Sequence, residues 1–133
     1  MIYLTNQTLS PAHRLLGCAV FLFRLARFSQ DVYELRGIYP HIRLHLILPC
    51  SNEEQTEKWS EEERAEFYRI LKLSDTTEYT SEHYYDGCMK KRNARLIELA
   101  DCCFCYWDGR QRSGTGQTVR MAIKKNIEVV NFY

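Results

Sequence analysis

An excess of charge of either sign is missing from this chain. Its 133 residues carry 18 Lys and Arg against 17 Asp and Glu, a formal net charge of +1. Bulk charge therefore supports neither a polyanion groove nor a membrane-surface patch, and nucleic acid is not an expected partner. A long apolar run is missing too. The stretch "LLGCAVFLFRLARF" (15–28) is short and broken by Arg24 and Arg27. A bilayer span needs about 20 apolar residues, so it reads as buried core and no membrane is expected. Nor does "MIYLTNQTLSPAHR" show the basic and apolar regions of a secretion signal. The expected compartment is the cytoplasm.

What is present is an ordinary globular balance, 45% apolar and 26% charged. No repeat, low-complexity tract or linker is visible, so residues 1–133 read as one domain with a single core. The six cysteines are Cys18, Cys50, Cys88, Cys102, Cys103 and Cys105. Without a secretory context, reduced thiols are expected rather than disulfides. "CCFC" is not read as a metal site, because strand alternation sends Cys103 and Cys105 to one face and Cys102 to the other. Cys50 and Cys88 each sit at a loop; a nucleophilic thiol there would need a base such as His45 or His83.

The pattern alternates between helix and strand. "SQDVYELRG" (29–37) has helical spacing. "IRLHLIL" (42–48) reads as a strand ended by Pro49. "SEEERAEFYRILKL" (60–73) is the clearest helix, with a Ser60–Glu63 capping box and an apolar stripe of Phe67, Ile70 and Leu71. "TTEYT" (76–80) reads as a strand, and 86–101 as a helix with Met89, Leu96, Ile97 and Ala100 on its apolar face. "CCFCYW" (102–107) is a strand, "TVRMAIKK" a helix and "IEVVNF" (127–132) a last strand. Strands separated by helices imply an α/β fold: a three-layer, Rossmann-like, mostly parallel sheet with helices on both faces. Ligands in such sheets sit beyond the carboxyl ends of the strands. The loops after Leu48, Thr80 and Trp107 occupy that position.

The loop "YWDGRQRSGTGQT" (106–118) admits two readings. Gly114 and Gly116 allow close backbone approach, and the following helix start offers unpaired amides to an anion, with Thr115 and Thr118 adding hydroxyls. A plain N-cap and turn explains the same residues. "GTGQT" is neither a Walker loop nor a GxGxxG fingerprint. Asp108 either accepts from a ribose hydroxyl or, with Gly109, makes a common turn pair. Asn93 falls on the apolar face of its helix, so it needs partners: a neighbouring loop's backbone, or a ligand at the floor of a site. Arg92 beside it is a candidate phosphate or carboxylate clamp. The acidic run "NEEQTEKWSEEE" reads as a solvated loop and helix start.

"YPHIRLHLILPCSNEEQTEKWSEEERAEFYRIL", "GCMKKRN" and "LADCCFCYWDGRQRSGTGQTVRMAIKKNIEVV" together resemble the YpsA-like family of the SLOG superfamily. That superfamily includes the lysine-decarboxylase-like (LOG) proteins and DNA-processing protein A, all Rossmann-like. The resemblance runs from about residue 39 to the end, and residues 1–33 are atypical. It implies a pocket for a nucleotide or nucleotide-derived ligand at the strand ends. Lys91, Arg92 and Asn93 match a basic-Arg-Asn motif; Gly114, Thr115 and Thr118 match a Gly-Thr phosphate loop. Cys50 follows the Pro49 of the matching strand end and joins Arg92, Asn93, Asp108, Gly109, Gly114, Thr115, Gly116 and Thr118 as an expected ligand contact. No metal and no cofactor are expected beyond a bound nucleotide or phosphate.

Two departures bear on function. The family's opening Thr-Gly-His-Arg-like motif and its Gly-Gly-Ala-x-Gly-x-Asp loop do not appear; "GCAVFLFRLARFSQDVYELR" stands in place of the second, with Gly17 as its remnant. The phosphoribohydrolase pattern Gly-Gly-x-Gly-Thr-x-x-Glu is also broken, because Thr118 stands where the Glu would fall. The expectation is a non-catalytic regulatory or sensor domain. The alternatives are a hydrolase or transferase acting on a nucleotide-type substrate, with Asp108 or a residue of the 53–63 acidic run as base, and an interaction protein with a decayed pocket that self-associates through "AVFLF".

Overall fold

The computed structural model describes residues 34–133 and the backbone of a strand at residues 2–6. The expected core stretch at 15–28, the "AVFLF" surface and Cys18 lie outside the described residues. Of the helix expected over 29–37, the described part is helical at 34–38.

Among the described residues, five strands and four further helices follow one another as β1 (Ile2–Asn6), β2 (Ile42–Leu48), α1 (Asn52–Thr56), α2 (Glu61–Leu73), β3 (Thr76–Tyr79), α3 (Cys88–Leu99), β4 (Cys102–Cys105), α4 (Gly114–Lys124) and β5 (Glu128–Asn131). The architecture is α/β and Rossmann-like, with short strands. β2 pairs in parallel with β3, and β4 with β5. β1, not anticipated from the sequence, runs antiparallel to β2 with Tyr3 opposite His45. Among the described residues the strands form two hydrogen-bonded groups, β1-β2-β3 and β4-β5, instead of one continuous sheet.

Side-chain alternation along β2 generates the layers. Leu44, Leu46 and Leu48 point one way and pack with Phe67 and Ile70 of α2. Ile47 points the other way, into a cluster with Leu96 and Ile97 of α3, Cys103 of β4 and Ala122 of α4. One strand buried on both faces therefore separates two helical layers, as its near-continuous apolar sequence requires.

Local chemistry sets the helix limits. The Ser60 hydroxyl accepts from the Glu63 amide at 3.2 Å while the Glu63 carboxylate accepts from the Ser60 amide at 2.8 Å. The expected capping box thus starts α2, and Glu61, Glu62 and Glu63 oppose the positive end of its dipole. α1 is an addition. "NEEQT" forms a short helix capped by Ser51 where a solvated loop was expected. α3 is shorter than the expected 86–101, beginning after Gly87, whose φ of 104° is left-handed. Met89, expected on its apolar face, is 41% exposed. It sits in the first turn, before the helix reaches the core that buries Leu96 and Ile97. At the far end of α3, the Lys125 ammonium donates to the carbonyls of Ile97 and Glu98 at 2.8 and 2.9 Å, tying the carboxyl ends of α3 and α4 together.

Candidate functional site

The loop between β4 and α4 folds back on the helix it introduces. The Ser113 hydroxyl accepts from the Gly116 amide at 3.0 Å and donates to the Arg110 carbonyl at 2.9 Å. The Trp107 indole N–H donates to that same carbonyl at 2.9 Å. A Cβ on Gly116 would lie 2.7 Å from the Arg110 oxygen, so this glycine serves the loop's own backbone. Gly114 faces open space instead. Thr118 is buried and donates to the Gly114 carbonyl at 3.0 Å.

Ser113 satisfies one of the orphan amides at this helix start and leaves those of Gly114 and Thr115, the first two helical residues, with no partner among the described residues. Thr115 is buried and borders a cavity of about 120 Å³ lined by Tyr106, Trp107, Asp108, Arg110, Ser113, Thr115 and Tyr133. Ligand pockets run from about 300 Å³ upward, so this cavity is smaller than an ordinary ligand pocket.

Asp108 and Arg110 form the charged rim. The Asp108 carboxylate accepts from the Arg110 amide at 3.2 Å and from its guanidinium at 2.6 Å. The Arg110 amide and then its guanidinium hold the carboxyl below the usual carboxylate range, which makes Asp108 a weak general base. Gly109 takes a φ of 85° in the turn between them. Arg120 reaches the loop from α4, donating to the Gln111 carbonyl at 2.7 Å.

Of the residues singled out by sequence, Asp108 and Thr115 share the cavity, and Gly109, Gly114, Gly116 and Thr118 build its surroundings. Arg92, Asn93 and Cys50 are not among its lining residues. Asn93 is buried on α3, and its side-chain oxygen accepts from the neighbouring Arg92 guanidinium at 3.0 Å. Cys50 is fully buried, and burial, followed by Cys88 and Glu54, pushes its thiol up. A protonated buried thiol is a poor nucleophile. His45 instead meets the Thr76 hydroxyl, and His83 meets Glu54 at 2.8 Å. Among the described residues no group of His, Cys, Asp and Glu could hold a metal ion, and no helix is long and apolar enough to cross a membrane.

Sequence reasoning passed over Tyr106, Trp107, Arg110, Ser113 and Tyr133 as lining residues, and Asn131 behind them. The Asn131 side-chain oxygen accepts from the Trp107 amide at 2.9 Å, and its nitrogen donates to the Trp107 carbonyl at 2.9 Å. The available signal was positional. Asn131 ends β5, the parallel neighbour of β4, and Phe132 and Tyr133 follow it, so they leave the sheet at the same edge as the loop after β4.

The family model YpsA, described as the YspA SLOG family, matches residues 28–132. The chain belongs to this family. It is also similar to curated relatives called UPF0398 proteins, from Bacillus thuringiensis (strain Al Hakam), Bacillus cereus (strain AH187) and Bacillus anthracis (strain A0248), each 27% identical over 107 residues. Those alignments cover 79% of this YpsA-family chain and 56% of each relative, so the chain spans little more than half of their length.

Proposed function

We propose that this chain binds a nucleotide or nucleotide-derived anion at the amino end of α4, as a non-catalytic, regulatory ligand-binding domain. The observation that carries the reading is the pair of unclaimed amides at Gly114 and Thr115, placed where Thr115 borders a cavity. A helix start concentrates partial positive charge on such amides, and a phosphate oxygen satisfies both the charge and the hydrogen bonds. Arg110, Arg112 and Arg120 on the same loop and helix add favourable long-range charge. Thr118 is buried and bonded to the Gly114 carbonyl, so it brings no carboxylate to the site. Asp108 is engaged by Arg110, which supports binding over hydrolysis.

Isothermal titration with nucleoside phosphates, ADP-ribose and NAD tests this. Saturable binding to at least one of them, weakened by inorganic phosphate as competitor, is expected. A folded protein that binds none at millimolar ligand would falsify the reading.

A further inference from the structure

Besides the charged pair, the cavity has an aromatic lining. Tyr106 and Tyr133 meet edge to face, with ring centroids 5.0 Å apart and planes at 66°, and Trp107 adjoins them along the lining. These rings are held without help from a hydrophobic core. Tyr133 is 71% exposed and Tyr106 37%. One side chain fixes the backbone that carries them. Asn131 clamps Trp107 through both its amide and its carbonyl, and the same Asn131 oxygen accepts from the Tyr133 amide at 3.3 Å. The Phe132 amide continues the ladder to the Cys105 carbonyl at 2.9 Å, so β4 and β5 leave the sheet together.

An exposed aromatic ring at a cavity offers a large apolar face, and a planar partner stacks on it favourably. We infer that Tyr106 and Tyr133, positioned by Asn131, form a stacking wall that selects ligands carrying a planar heterocycle beside their phosphate, so that the site takes a nucleoside phosphate in preference to a bare sugar phosphate. This rests on the reading of the α4 amino end as the anion seat. Seat and wall border one small cavity, because Thr115 and the two tyrosines all line it. A ligand with its phosphate at Thr115 therefore brings its next groups against the rings. The wall is tolerant of which base it meets, because every base presents a π-face.

Affinities for adenosine monophosphate and for ribose phosphate, measured side by side by titration calorimetry, test the wall. Adenosine monophosphate binds more tightly by about tenfold or more, the margin one stacked base provides. Tyr133→Ala, at an exposed position that the fold tolerates, removes most of that margin and leaves ribose phosphate unchanged. Asn131→Ala does the same, and Asn131→Asp, which keeps the oxygen that both amides reach, restores part of it. A general loss of structure would weaken both ligands alike. Equal affinity for the two ligands in the native chain overturns the wall while leaving the anion seat standing, as does a margin that survives Tyr133→Ala and Tyr106→Ala. Failure of both ligands to bind the folded protein removes seat and wall together.

Discussion

Gly116 and Arg110 touch through backbone alone: a Cβ on Gly116 would sit 2.7 Å from the Arg110 carbonyl oxygen, which also receives the Trp107 indole and the Ser113 hydroxyl. Three groups converge on that oxygen, and it cannot retreat without releasing the others. Gly116→Ala is therefore expected to cost about 1–3 kcal/mol, the usual range for overpacking. Gly114→Ala meets open space and raises stability by about 0.4–1 kcal/mol through the unfolded chain. Urea unfolding of the pair checks the contrast; equal effects would show that the loop yields.

The five cysteines among the described residues are expected to be silent in the native protein. Burial pushes the Cys50, Cys102 and Cys105 thiols up, and Cys88 and Cys103 are fully buried. A thiol reagent at neutral pH should label these positions far more slowly in the folded chain than in urea. Fast native labelling of Cys50, read by peptide mass mapping, would contradict the placement of β2 and its following bend.

His83 and His45 are expected to titrate in a fixed order. The hydrogen bond to Glu54 raises the His83 pKa, while burial lowers that of His45. As pH falls, His83 takes its proton first. Glu54 moves the opposite way, lowered by the bond from the Tyr84 amide and then by His83. The contact thus persists between these two shifted values. It weakens as pH rises through the His83 pKa and as pH falls through that of Glu54. Proton NMR of the imidazole resonances reads the order directly.

Asp75 fastens the end of α2 to β2. Its carboxylate accepts from the Leu44 amide at 2.7 Å and pairs with Arg36, while its own amide donates to the Leu44 carbonyl at 2.8 Å. Asp75→Ala leaves the Leu44 amide short of a partner and should cost about 1–3 kcal/mol. Asp75→Asn keeps an acceptor and should retain part of the loss. Chemical denaturation of both variants provides the measurement.

What could be read from the sequence was what local chemistry dictates. The Ser60–Glu63 box sets the start of α2, and the apolar-rich run "IRLHLIL", ended by Pro49, marks β2. Pairing was less legible. Strand partners are chosen by tertiary contact, so nothing in "IYLTN" announced an antiparallel neighbour for β2. β4 ends at Cys105 instead of Trp107 because the Trp107 backbone is taken by the Asn131 side chain. At the candidate site, the anion-friendly residues stood out because Gly and Thr before a helix have a known use. The aromatic side did not stand out, because Tyr106 and Tyr133 are far apart in sequence and meet only when β4 and β5 lie parallel.

The Lys125 clasp completes the fastening of α4. Its carboxyl end is joined to α3 at the carbonyls of Ile97 and Glu98. Its amino end is held by the Ser113 hydroxyl and by the burial of Thr115 and Gly116. The 11 residues between span about 16 Å at roughly 1.5 Å per residue. Pinned at both ends, the helix is a strut rather than a lever, and the loop before it and the end of α3 beyond it rest on one rigid support.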